Sequence, residues 1–268
     1  MAPAPDRSRV KAQLAKTRAT LATAGIPYAW LDAEILVAHV LQSSRERLHS
    51  HPERLLTASQ RRRLSRLTAR RAARVPVPYL TGEREFYGHM LTVTPGLRTH
   101  PAARRIIDLG TGSGAVAIAV AKAAPRVRIV ARDVSAPALR VAARNIARFR
   151  LRGRITTVKG DLLRGALPAD LILANLPYIS EAQRRVRPRE LKYEPALALD
   201  GGGDGLSLIR TALTLAPAVV KPGGALLFEC DPAQTRRLVR LALRQWPSAG
   251  VTVHKDLARR DRVVRIQT

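Results

Sequence analysis

The chain has 268 residues, 46% of them apolar but only 4% aromatic, so Leu, Val, Ile and Ala must fill the core of one large domain or two modest ones. Lys and Arg number 47 against 20 Asp and Glu, and the net charge of +27 favours polyanionic partners. The single Cys230 excludes an internal disulfide, no apolar run nears the roughly 18 residues of a membrane span, and no secretory h-region is present, which together imply a reducing, cytoplasmic setting without a membrane.

Residues 7–74 read as a helical domain. Val10, Leu14 and Leu21 form the buried stripe of a first helix, which breaks at Gly25-Ile26-Pro27. A second amphipathic helix carries Leu31, Ile35, Leu36, His39, Val40 and Leu41 on or near one face. After an interruption at Ser50–Pro52, Thr57 or Ser59 is placed to cap a third helix running through Leu64 and Leu67. Its polar side holds Arg61, Arg62, Arg63, Arg66, Arg70, Arg71 and Arg74 with no acid among them. Arg63, Arg66, Arg70 and Arg74 fall on one face at helical spacing. Acids usually alternate with bases on a solvated face, so this stripe is a candidate contact for RNA phosphates. His49 and His51 lack the Cys or carboxylate cluster of a metal site, and no metal is expected.

Val75-Pro76-Val77-Pro78 cannot continue a helix and reads as a linker, followed by a β-hairpin over Tyr79 to Pro95. From Ile106 onward strands and helices alternate. The strands are expected at 104–109, 127–132, 154–158, 169–174 and 225–230, the helices at 114–124, 135–148, 205–219 and 232–245. Alternation of this kind gives an α/β fold with a parallel, doubly covered sheet. Val251–Val253 and Arg262–Ile266 have no helix between them and form an antiparallel hairpin at the sheet edge. The resulting division is a helical domain over 1–75, a linker and hairpin over 76–103, and a Rossmann-like domain over 104–268.

The candidate site lies where these strands end. Ile106-Ile107-Asp108-Leu109-Gly110-Thr111-Gly112-Ser113-Gly114 is an apolar run, an acid and three alternating glycines, opening into an Ala-rich helix. That is the strand–turn–helix by which a nucleotide-like ligand is held at a sheet edge, and Gly110, Gly112 and Ala115 also fit the dinucleotide pattern. Asp133 ends the second strand, where an acid can take both ribose hydroxyls. Asp161 ends the third, within reach of an adenine amino group. Asn175-Leu176-Pro177-Tyr178 ends the fourth. A polar tetrad there, with a closing hairpin, points to S-adenosylmethionine rather than a nicotinamide.

With these residues in place the chain resembles the HemK/PrmC family of glutamine methyltransferases, which modify peptide chain release factors at their Gly-Gly-Gln loop. The resemblance is carried by Leu31–Glu34, Tyr79–Gly82, Glu85–Gly88, Asp108–Gly114, Tyr193–Pro195, Gly202–Leu206, Gln234, Lys255–Leu257 and Arg260–Val264. It implies a class I methyltransferase domain behind a helical docking domain, acting as a monomer on a release factor. It also implies that Asn175 and the carbonyl of Leu176 orient the acceptor amide, with Tyr178 walling the pocket.

Two departures stand out. Leu176 replaces the first Pro of the family's Asn-Pro-Pro-Tyr, giving a tetrad that resembles that of ribosomal RNA adenine dimethyltransferases. The segment 96–107 is too short for the Ile-Pro-Arg-Pro-Glu-Thr-Glu run and helix of relatives, so a more open pocket, or one completed by a partner, is expected. An RNA adenine methyltransferase and a non-catalytic ribosome-associated protein therefore stand as alternatives. The basic surface points to ribosome or RNA contact in each case.

Overall fold

The computed structural model describes residues 8–81, 102–185, 200–256 and 258–268. Residues 8–81 belong to one compact unit and the other described residues to a second.

The first unit is helical. α1 spans Val10–Thr23, α2 Ala29–Leu41, α3 Arg45–Ser50, α4 Ala58–Ala72 and α5 Val77–Thr81. Val10 and Leu21 are buried as expected, but Leu14 is only partly so, and Gln13 and Thr17 complete the buried side of α1. α4 is capped by Thr57 rather than Ser59, because Thr57 and Gln60 form a reciprocal cap. Thr57 Oγ1 accepts from the Gln60 N–H at 3.2 Å, and Gln60 Oε1 accepts from the Thr57 N–H at 2.9 Å. α5 corrects the expected start of the hairpin. Pro78 sits in the first helical turn, where a missing N–H breaks no intrahelical bond, and Leu80 joins the core beneath α2 and α4. Residues 82–95 of the expected hairpin, and 96–101 of the shortened segment, lie outside the described residues.

The arginines of α4 divide into two groups. Arg71 turns inward and donates from Nε to Asp32 Oδ2 at 2.7 Å. Arg74 is not on the helix face: it lies beyond the end of α4 with φ +72° and donates to the Ala24 carbonyl at 3.0 Å. Arg61 donates to the Leu56 carbonyl, and Arg63 to His39 Nε2. Arg62, Arg63, Arg66 and Arg70 remain exposed.

The second unit is a seven-stranded sheet in the order β3-β2-β1-β4-β5-β7-β6. The parallel strands are β1 Arg105–Leu109, β2 Arg128–Asp133, β3 Ile155–Lys159, β4 Ala169–Ala174 and β5 Val220–Glu229. β6 Gly250–Lys255 and β7 Asp261–Gln267 form the antiparallel hairpin, with β7 beside β5. The helices are α6 Ala115–Ala123, α7 Ala136–Arg148, α8 Glu181–Arg185, α9 Ser207–Leu215 and α10 Thr235–Gln245.

Strand residues alternate between two cores. Ile107, Ile172, Ala174, Leu226 and Phe228 pack under α9 and α10, whereas Ile106, Leu171, Leu173, Ala225 and Leu227 pack under α6 and α7. Burial on both faces explains the unbroken apolar runs. β5 starts five residues earlier than expected, because Val220 pairs with Ala169 before a bulge at Lys221–Gly224 restores the register at Ala225. Asp170 fastens this corner through the N–H groups of Arg104 and Arg105 and Lys221 Nζ. Partial burial alone would raise its pKa, but these bonds outweigh that and hold it at about 2.

The Asp32–Arg71 pair yields a stability prediction. Both side chains are about nine-tenths buried, so Asp32→Ala removes a buried carboxylate that the Arg71 guanidinium bonds and should cost the helical unit about 3–5 kcal/mol in urea unfolding. Replacing both residues by apolar ones should cost less than the single change. An Asp32→Ala cost below about 1 kcal/mol, the level of a surface pair, would show that the bridge holds nothing together.

Candidate active site

β1 and β2 end side by side, with Leu109 opposite Arg132. The chain then turns through Gly110, Gly112 and Gly114 at φ +70°, +54° and +82°, conformations that side chains disfavour. α7 packs against this turn. A Cβ on Gly114 would stand 3.2 Å from that of Ala142, and Asn145 Nδ2 donates to the Ser113 carbonyl at 2.8 Å.

The predicted acids sit around the turn. Asp108 is buried, and its Oδ2 accepts from Thr111 Oγ1 at 2.6 Å and from the Ala117 N–H at 3.0 Å. Asp133 reaches across from β2: its Oδ2 accepts from the Gly112 N–H at 2.9 Å and its Oδ1 from the Ser135 N–H at 2.8 Å. The Asp133 carbonyl accepts from the Gly160 N–H at 3.0 Å, which brings the loop after β3 to the same edge. Asp161, next in that loop, is exposed and pairs with Arg164 at 3.1 Å.

Arg132 is a site-edge residue that motif reading passed over. It is buried with no carboxylate partner among the described residues, donating to the Leu162 carbonyl at 2.5 Å and to that of Arg164. Its guanidinium fills the space where a Cβ on Gly160 would go. The signal was an Arg directly after the apolar Ile129-Val130-Ala131 run and just before Asp133. Val134, which follows Asp133, is a second: an apolar side chain left 49% exposed at the rim.

The tetrad faces the glycine turn from β4. Leu176 is buried, and a Cβ on Gly110 would stand 2.9 Å from its Cδ2. Asn175, Pro177 and Tyr178 are half-buried. Burial, with Glu229 nearby, pushes the Tyr178 phenol up. Behind the tetrad Gln234 Nε2 donates to the carbonyls of Tyr178 at 2.7 Å and Asp204 at 3.2 Å. Gly205 packs so closely on Tyr178 and Gln234 that no side chain fits there.

Residues 12–82 match the PrmC N-terminal domain, and residues 91–228 match the methyltransferase small domain. A release factor glutamine methyltransferase of Moorella thermoacetica is 35% identical over 262 residues, covering 90% of this chain and 92% of its own. The chain belongs to the release factor glutamine methyltransferase family. The Bordetella pertussis protein of the same name is 37% identical over 266 residues, covering 91% of this chain and 96% of its own. A ribosomal protein uL3 glutamine methyltransferase of Bordetella pertussis is also 37% identical, over 228 residues and 76% of each chain.

In this member of the release factor glutamine methyltransferase family, burial raises the Asp108 pKa to about 6 against the pull of its bonds from Thr111 and Ala117, and the neighbouring Asp133 adds to the rise. The sign of the linkage follows. Below the unfolded value near 4 both states are protonated, and above about 6 the fold carries a buried carboxylate at a cost of about 3 kcal/mol. Asp108→Asn removes the titration. From about pH 3 to about pH 7 the wild type should therefore lose about 3 kcal/mol relative to the variant in urea unfolding. Parallel profiles would show that Asp108 ionises without penalty.

Proposed function

We propose that this protein transfers a methyl group from S-adenosylmethionine to the side-chain amide nitrogen of a glutamine in a peptide chain release factor. The observation that carries the reading is the convergence of the glycine turn on the tetrad, with Gly110 against Leu176 and Asp133 bonded to Gly112. Relatives named for release factors match along about nine-tenths of the chain, helical unit included. That breadth favours a glutamine acceptor over the adenine suggested by the tetrad.

The rim fits the cofactor. Asp133 would hold the ribose hydroxyls, since each of its oxygens takes one backbone N–H and a carboxylate oxygen can accept more than one. Val134 would wall the adenine and Asp161 would meet its amino group. Asp108, Gly110, Thr111, Gly112 and Gly114 would form the cradle, with Asp108 bracing Thr111. When bound, the cofactor supplies a sulfonium methyl group, an electrophile that needs no further activation.

An amide nitrogen is a poor nucleophile because its lone pair is shared with the carbonyl. The Asn175 side-chain oxygen and the Leu176 carbonyl would accept the two amide hydrogens and turn the lone pair towards the methyl group, an orientational and electrostatic effect. Leu176 supplies the same backbone carbonyl as proline would, and its side chain is taken up by the core against Gly110. Tyr178 would wall the acceptor. No strong base is needed if the proton leaves after transfer.

The helical unit would dock the protein substrate, and the enzyme would act as a monomer in the reducing cytoplasm. Buried Cys230 and the lack, among the described residues, of a helix long and apolar enough to cross a membrane support that setting. The exposed Arg63, Arg66 and Arg70 would contact RNA.

Labelled-methyl transfer to purified release factor tests the reading, with uL3 and ribosomal RNA as parallel acceptors. Asn175→Ala should lower kcat about 100-fold or more with cofactor affinity nearly intact. Asp133→Ala should instead weaken cofactor binding by roughly 1.5–3 kcal/mol in calorimetry. Label appearing on RNA or uL3 but not on the release factor would overturn the acceptor assignment.

A further inference from the structure

A cleft between α9 and α10 takes no part in the proposed reaction. α10 packs on β7 and β6 through buried Leu238 and Ala242. Its outer face carries Arg236, Arg237, Arg240 and Arg244, and no acid occurs from Thr235 to Gln245. α9 lies beside it and contributes Arg210. Arg210, Arg237, Arg240 and Arg244, with half-buried Leu241, line a cleft of about 290 Å³.

One carboxylate enters this group. Asp204 pairs with Arg210 and, at 2.9 Å, with Arg237. Arg240 and Arg244 have no ion pair or hydrogen bond among the described residues. Four guanidinium groups against one carboxylate leave three positive charges crowded in a concave site, which an anion would relieve. Guanidinium forks match phosphate oxygens two at a time. Arg237, Arg240 and Arg244 also rise along the helix in steps of about 4.5 and 6 Å, close to the spacing of phosphates along a nucleic-acid strand. Carboxylates on a folded acidic surface have no such repeat.

We propose that the α9–α10 cleft is a phosphodiester-binding site that holds a strand of RNA, Arg240 and Arg244 making contacts that no described side chain of this protein competes for. The choice of RNA over DNA rests on the translation-linked reading under Proposed function.

The test is binding of a short single-stranded RNA by fluorescence anisotropy across a salt series. It compares wild type, the Arg240→Gln/Arg244→Gln variant, and an Arg63→Gln/Arg66→Gln/Arg70→Gln variant. Each lost phosphate contact lowers the log–log salt slope by about 0.7 on single strands, so the cleft variant should be flatter by about 1.4. Gln is about as good a helix former as Arg, so circular dichroism should be unchanged, as should methyl transfer to release factor. A cleft variant with wild-type slope and affinity overturns the site alone. A wild type that binds no RNA overturns both this site and the RNA contact of the helical unit. A cleft variant that loses affinity for release factor but not for RNA makes the occupant an acidic protein surface, and also overturns the proposal.

Discussion

Gly110 brings the turn after β1 into contact with the tetrad after β4: a Cβ there would meet Leu176 Cδ2 at 2.9 Å, and the backbone has φ +70°. β1 and β4 are hydrogen-bonded neighbours, so their ends must share one small space. A bare α-carbon lets the two turns pack against each other. Asp133 then ties the glycine turn to β2 through Gly112, and the Asp133 carbonyl ties β2 to the loop after β3. Four adjacent strand ends thus become one continuous edge, where open α/β sheets bind ligands.

The same edge shows where the leucine that stands in place of the family's Pro is accommodated. A leucine at 176 fills the hollow left by Gly110 with a buried side chain, and its neighbour Pro177 favours extended geometry at that position. Behind it Gln234 bonds the carbonyls of Tyr178 and Asp204 together. The backbone that would face an acceptor is therefore fixed from the rear rather than by its own side chains.

Arginine serves two purposes in this chain, and only one concerns partners. Arg61, Arg74, Arg132, Arg154 and Arg262 each donate to a backbone carbonyl of a turn or loop. In these places a guanidinium, with five donors and little competition from lysine's stronger hydration, satisfies groups that would otherwise need water. Arg71 is spent on Asp32. Among the described residues, the exposed arginines left for solvent or a polyanion line α4, α7 and α10 and occur in several loops as well. Part of this was legible beforehand: the strands, because burial on both faces writes continuous apolar runs, and the glycine turn, because φ above zero selects glycine. The Asp32–Arg71 pair was not, since the partners lie 39 residues apart on different helices. Nor was α5, whose Pro78 imitates a helix breaker, or Arg74, which continues the helical spacing after the helix has ended.

The dependence of the site on one bare α-carbon can be measured with Gly110→Ala, titrated with S-adenosylmethionine by calorimetry and checked for folding by its urea midpoint. The added methyl group must displace Leu176 or the turn, at a left-handed φ that alanine resists. The variant should fold, with cofactor affinity and methyl transfer to release factor both lowered about tenfold or more, the effect of roughly 1.4 kcal/mol. A folded variant that binds and transfers like the wild type would contradict that dependence.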